Sequence, residues 1–149
     1  MTRFVSLRPV TVLLVALALV VLTDRAAAQD RQHHSRGTAQ FVSPTDFVGS
    51  GHATHLGKYT EVGCVHFSPT KEETVLQIDA WSVYTAANGD QLYATFTGRL
   101  DAVTGVITAT ATYVGGTGRF DDAGGTAVLS GQLLPDGSIE VAVKGTIGY

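Results

Sequence analysis

Cysteine is almost missing from this chain. Cys64 is the only one in 149 residues, so no intrachain disulfide can form. Stability has to come from packing, and a domain of this size buries on the order of two-thirds of its unfolded surface. Cys64 itself is expected as a small buried hydrophobe rather than as a reactive or dimer-forming thiol. Charge is scarce too: Asp, Glu, Lys and Arg make up 15% of the residues against 44% hydrophobic, which excludes a disordered chain. No capped helical period occurs after residue 28, which removes α/β folds with phosphate-binding helix ends. Also missing are a Gly-x-Ser-x-Gly nucleophile elbow and a phosphate loop ending in Gly-Lys-Ser/Thr.

What is there begins with a processing signal. Arg3 and Arg8 precede an apolar run over residues 10–22, and Ala26-Ala27-Ala28 offers a small-residue cleavage site. This pattern reads as a secretory signal peptide over residues 1–28, because the run falls short of the roughly 20 apolar residues that span a bilayer. A secreted or periplasmic protein is expected, cleaved near Ala28 and with no membrane association afterwards. Residues 29–36 (QDRQHHSR) are polar and without a hydrophobic period, so they read as a flexible leader. Beyond residue 28 there remain seven Lys/Arg and twelve Asp/Glu, a net charge of −5. That balance argues against nucleic acid and anionic lipid as partners, since both select clustered cations.

From Gly37 to the end the pattern is β. Eight short runs rich in Val, Thr, Ile, Tyr and Phe cover residues 38–42, 51–56, 58–67, 74–84, 91–100, 106–113, 126–134 and 138–147, as strands separated by turn residues do. Asn88-Gly89, Asp136-Gly137 and the Asp101 to Gly105 segment carry hairpin chemistry. Alternation puts Leu92, Ala94, Phe96, Gly98 and Leu100 on one face, then Ile107, Ala109, Ala111 and Tyr113, then Ile139, Val141, Val143, Gly145 and Ile147. These features predict a single all-β domain over residues 37–149, an eight-stranded antiparallel up-and-down β-barrel, which leaves no open sheet edge. A barrel of that size is either filled by side chains or holds one small ligand. The residues expected to line such an interior are Phe96, Ala109, Ala111, Tyr113 and Leu129.

One stretch concentrates glycine. Between Tyr113 and Ala127 stand Gly115, Gly116, Gly118, Gly124 and Gly125, with Phe120 alone among small residues. The run Gly115-Gly116-Thr117-Gly118-Arg119-Phe120, followed by Ala123-Gly124-Gly125, resembles the glycine signature of the allene oxide cyclase and dirigent barrel superfamily. It is more similar still to small secreted bacterial proteins with a G-T-G-R-F-x-x-A-x-G turn, whose upstream motif is matched here by Gly51-His52-Ala53-Thr54-His55-Leu56-Gly57. The resemblance implies a turn between barrel strands, with the five glycines allowing the bend and Phe120 tucked inside as an anchor. It also implies chemistry of the cyclase or isomerase kind on small apolar intermediates. The family's acidic and basic pocket residues do not align onto this chain position by position, so none is transferred and the catalytic residues are unassigned.

Titratable candidates are few. Asp79 shares a strand face with Gln77 and Trp81, and facing inward it would be a desolvated carboxyl of raised pKa, but an outward, solvated Asp79 is expected; Glu61 shares a face with Tyr59 and Gly63, and the same ambiguity applies to it. His52 and His55 are three apart and point to opposite faces of a strand. His66 shares a face with Cys64 but has no third ligand. His33 and His34 have no carboxylate or cysteine at ligand spacing. No metal site and no cofactor is expected. Three readings follow: a secreted barrel that binds a small apolar molecule, a cyclase or isomerase without metal, or a structural exported protein that forms homo-oligomers.

Overall fold

The computed structural model describes residues 29–149; the signal-peptide reading of residues 1–28 lies outside them. Eight strands run in chain order: β1 (Arg31–Phe41), β2 (Asp46–Ala53), β3 (Gly57–Pro69), β4 (Val75–Ala86), β5 (Gln91–Asp101), β6 (Val106–Gly116), β7 (Gly124–Leu133) and β8 (Ser138–Gly148). Each pairs antiparallel with the next, and β8 returns to pair with β1, closing an all-β, up-and-down barrel. The only helical element among the described residues is a 3-10 turn at Gly118–Phe120.

Two strand assignments are corrected. Residues 31–36 are not a flexible leader but the first half of β1, zipped to β8 from Arg31↔Ile147 through Arg36↔Ala142. Their inward side chains are His33 and Ser35, both buried, so the strand carries no apolar alternation to reveal it. β2 starts at Asp46 rather than at residue 51, and residues 54–56 form its turn into β3. Its inward positions Gly49 and Gly51 likewise contribute no hydrophobic period. Cys64 is also corrected: it is half-buried on the outer wall, directly across from Trp81.

The barrel has a closed end and an open end. At the closed end Leu92, Phe120 and Ile147 are fully buried and Tyr149 packs on the same cluster. The Phe120 ring lies edge-on to Tyr149 with centroids 5.0 Å apart, and the Arg119 guanidinium lies 4.9 Å over the Phe120 ring. Gly115 and Gly116 finish β6, and Gly124 and Gly125 begin β7, so the turn proper is Thr117 to Ala123. Gly118 has φ +59, and a Cβ there would run into the Asp90 carboxylate, so only glycine fits. Thr117 ties the turn to β5, its N–H donating to the Gln91 carbonyl at 2.8 Å and its Oγ1 accepting from the Gln91 N–H at 2.9 Å. Asp90 adds a 3.7 Å pair with Arg119. The glycine stretch is therefore a plug laced onto the β4–β5 turn. At the open end a second cluster of Val65, Ile78, Leu100 and Ile107 is rimmed by Phe47, Phe67 and Ile139.

Candidate functional site

The site begins with an asymmetry in side-chain size. On the inner wall β3 presents Tyr59 and Glu61, and the residues opposite them on β2 are Gly51 and Gly49. A Cβ on Gly49 would stand 3.0 Å from Glu61 Oε2, and one on Gly51 would stand 2.6 Å from the Tyr59 hydroxyl. Glycine on β2 thus opens the space that the polar ends of β3 fill. On the other side β4 places Tyr84 directly opposite Glu61, and Ser82 opposite Gly63.

These residues form a buried polar layer across the middle of the barrel. Glu61 is 7% exposed and Ser82 1%. The Ser82 hydroxyl donates to Glu61 Oε1 at 2.6 Å. Burial raises the Glu61 pKa and outweighs the hydrogen bonds from Ser82 and Tyr84, which act to lower it. The carboxyl is thereby pushed toward its protonated form, in which it can donate as well as accept a hydrogen bond. Tyr84 is raised well above the ordinary tyrosine value, first by burial and then by the field of Glu61. The Tyr59 hydroxyl is 3.0 Å from Ser35 Oγ, and burial raises its pKa as well.

Above this layer, toward the open end, lies an apolar chamber of about 90 Å³. Ala39, Val65, Ile78, Ala80, Phe96, Ile107, Ala109, Leu129 and Val141 form its wall, Phe41, Phe47 and Phe67 its mouth, and among the described residues Glu61 and Tyr84 are the polar side chains that line it. Phe41 stands between the other two rings, with centroids 6.4 Å from Phe47 and 6.2 Å from Phe67. Below the layer the barrel is nearly full: the space among His33, Ser35, Tyr59, Tyr84 and Tyr113 measures about 10 Å³. His33 is 3% exposed, its Nδ1 has no hydrogen-bond partner, and its ring lies edge-on to Tyr113 at 5.3 Å and stacks on His55 at 5.8 Å. Burial, reinforced by His55 and His34, lowers its pKa to about 4. Tyr113 is displaced upward, mainly by burial.

Of the residues expected to line the interior, Phe96, Ala109 and Leu129 face the chamber. Tyr113 lies in the polar space beneath it, and Ala111 is buried in the closed-end core without lining either space. Asp79 and Trp81 point outward into solvent, Trp81 being 51% exposed. His66 is exposed on the outer wall with Cys64 beside it. His52 is exposed on β2, whereas His55 sits in the β2–β3 turn, its Nε2 2.8 Å from the Gln32 carbonyl and its Nδ1 3.2 Å from the Tyr149 hydroxyl. Among the described residues no three His, Cys, Asp or Glu side chains gather in a group that could hold a metal.

Four site residues, Tyr84, Ser82, His33 and Ser35, do not stand out in the sequence as part of a site. Tyr84 and Ser82 share the parity of Ile78, Ala80 and Ala86 along β4, and that apolar alternation was the available signal. His33 and Ser35 had none, being polar residues in a polar segment. Glu61 is a candidate from the sequence whose face was open, and the structure turns it inward; the signal for that lies in a neighbouring strand, where Gly49 and Gly51 leave room for a large inward side chain.

Fold and site together define an antiparallel eight-stranded barrel with one apolar chamber that ends on a buried acid. No protein-family model matches the chain, and a search of curated proteins found no match. Among solved structures the chain is similar to a nonspecific heme-binding cyclase that catalyses a cycloaddition in neoabyssomicin biosynthesis. That likeness has 12% identity and a TM-score of 0.44, and it covers 82% of this chain and 68% of the other.

Proposed function

We propose that this protein binds a small, largely apolar molecule bearing one hydrogen-bonding oxygen, taken in through the phenylalanine mouth and held against Glu61. The observation that carries this reading is the chamber itself: a wall of aliphatic and aromatic side chains with a buried carboxyl and a buried phenol at the bottom. Sites for small molecules have this composition, mostly apolar with a few placed polar groups that fix orientation. The cavity is small, about 90 Å³, so the occupant is one compact group or the end of a longer molecule that parts Phe41, Phe47 and Phe67. A carboxyl raised by burial donates to a carbonyl, ether or epoxide oxygen at no charge cost, which selects an oxygenated ligand over its hydrocarbon counterpart. Native mass spectrometry with lipid and terpenoid panels tests the reading, with a retained oxygenated ligand as the expected result. Failure of every compact member to bind would end it.

A second reading is catalysis of the cyclase or isomerase type, favoured by the same residue. A neutral Glu61 can pass its proton to a substrate oxygen, and the resulting carboxylate can take a proton from a neighbouring carbon. Atoms then balance in an isomerisation without any co-reactant. The resemblance of the Gly115 to Phe120 motif to allene oxide cyclase and dirigent barrels agrees with this reading. Under it Glu61→Gln abolishes turnover while the ligand still binds. In both readings the protein acts outside the cytoplasm, after removal of residues 1–28; mass measurement of protein recovered from the cell exterior or periplasm tests that, with a chain starting near Gln29 expected.

A further inference from the structure

The acidic net charge conceals a local reversal. The strand register brings three of the seven Lys/Arg beyond residue 28 to one patch of the outer wall, together with two imidazoles. On β8 and β1, Lys144 stands directly across from His34; one step along β1, Arg36 stands across from His52, which in turn faces Lys58 on β3. All five side chains are exposed. The cations Lys144, Arg36 and Lys58 have no carboxylate partner among the described residues, where ion pairs form instead between Arg99 and Glu72 and between Arg119 and Asp90, both at 3.7 Å. Ala142 lies between Lys144 and Glu140 on β8 and keeps the wall low beside Arg36, so that His34, Arg36, His52 and Lys144 border a shallow groove. Glu140, opposite Thr38, is the acid that bounds the patch on one side.

From this placement we infer that the outer face of β8, β1, β2 and β3 is a docking surface for an acidic polysaccharide, a polymer with one carboxylate per sugar. Charge complementarity and the spacing of the cations select such a polymer. Arg36 and Lys58 face His52 from either side of β2, two strand spacings or about 10 Å apart, and Lys144 lies one strand and two residues from Arg36, about 8 Å away; both intervals are several times the ~1.7 Å axial charge spacing of duplex DNA, so the stripe matches a polymer of lower charge density. No Trp, Tyr or Phe lies in the stripe to stack a base, which single-stranded nucleic acid binding uses. The barrel wall is convex across these strands and meets a chain along a line, and among the described residues no large apolar side chain stands in the stripe to insert into a membrane. Thr38, Ser50 and Thr60, on the same outer faces, supply hydroxyls for the sugar ring. This surface stands on the side of the wall away from the chamber and does not depend on what the chamber holds.

The test is retention of the protein on immobilised polygalacturonate, followed against salt, with neutral dextran, duplex DNA and phosphatidylglycerol vesicles as comparison arms. Retention on polygalacturonate and not on dextran is expected, weakening steeply as salt rises. The triple variant Arg36→Gln, Lys58→Gln, Lys144→Gln should lose at least tenfold in affinity at unchanged circular dichroism and melting temperature, while the control pair Lys71→Gln, Arg99→Gln binds as the parent does. No retention of the parent, tighter binding to DNA or vesicles than to polygalacturonate, or equal loss in the control pair would overturn the inference.

Discussion

Glu61 in the polar layer and His33 beneath it are both buried, and their burial acts on stability in opposite directions of pH. Glu61 has a raised pKa in the folded protein, so above its ordinary value of 4.5 the unfolded chain has released a proton that the native state keeps. Its contribution is complete below that value and is lost as pH rises through the folded one. For His33 the folded value falls from 6.5 to about 4. Within that window the unfolded chain binds the proton and the native chain does not, so the contribution is complete above 6.5 and lost as pH falls. Urea unfolding at a series of pH values checks both. Glu61→Gln should flatten the decline on the alkaline side, and His33→Phe the decline between pH 6.5 and 4; a variant whose profile superimposes on the parent's would contradict the assignment for that residue.

The element that gives the barrel its closed end is the glycine stretch between β6 and β7. Phe120 is fully buried against Tyr149 and the closed-end cluster, and Phe120→Ala should cost about 3–5 kcal/mol by chemical denaturation. Arg119→Ala removes a stacked guanidinium and a partly exposed ion pair, contacts worth at most about 1 kcal/mol. Comparable losses in the two variants would mean that the turn, and not the aromatic anchor, holds the plug. This stretch was legible in the sequence because glycine clustering and a lone aromatic are local signals. So were β5 to β8, whose inward positions are apolar at every second residue. The first two strands were partly illegible for a physical reason. Five of their inward residues, His33, Ser35, Gly37, Gly49 and Gly51, are polar or lack a side chain, and the three glycines leave the room that Tyr59 and Glu61 take. The segment where hydrophobic periodicity fails is the segment that builds the site.

At the scale of the whole molecule, the barrel divides into a filled half and a half with room. The filled half carries the plug and the polar layer, which fixes the position of Glu61. The open half carries the chamber, and its volume depends on small residues such as Ala80 and Ala109 set among larger ones. Ala109→Leu adds three heavy atoms to a wall facing a cavity of about 90 Å³, so it should abolish ligand uptake while changing the melting temperature little; a large loss of stability would mean that the space is already closed in solution. The most direct measurement is a titration of the protein with a matched pair of compact cyclic compounds, a ketone and its parent hydrocarbon, followed by the methyl resonances of Val65, Ile78 and Ile107. Both should perturb those methyls, the ketone should bind at least tenfold tighter, and Glu61→Ala should erase the difference. Methyl resonances that stay fixed with both compounds, or equal affinities in the parent protein, would contradict the account of a chamber that ends on a hydrogen-bonding acid.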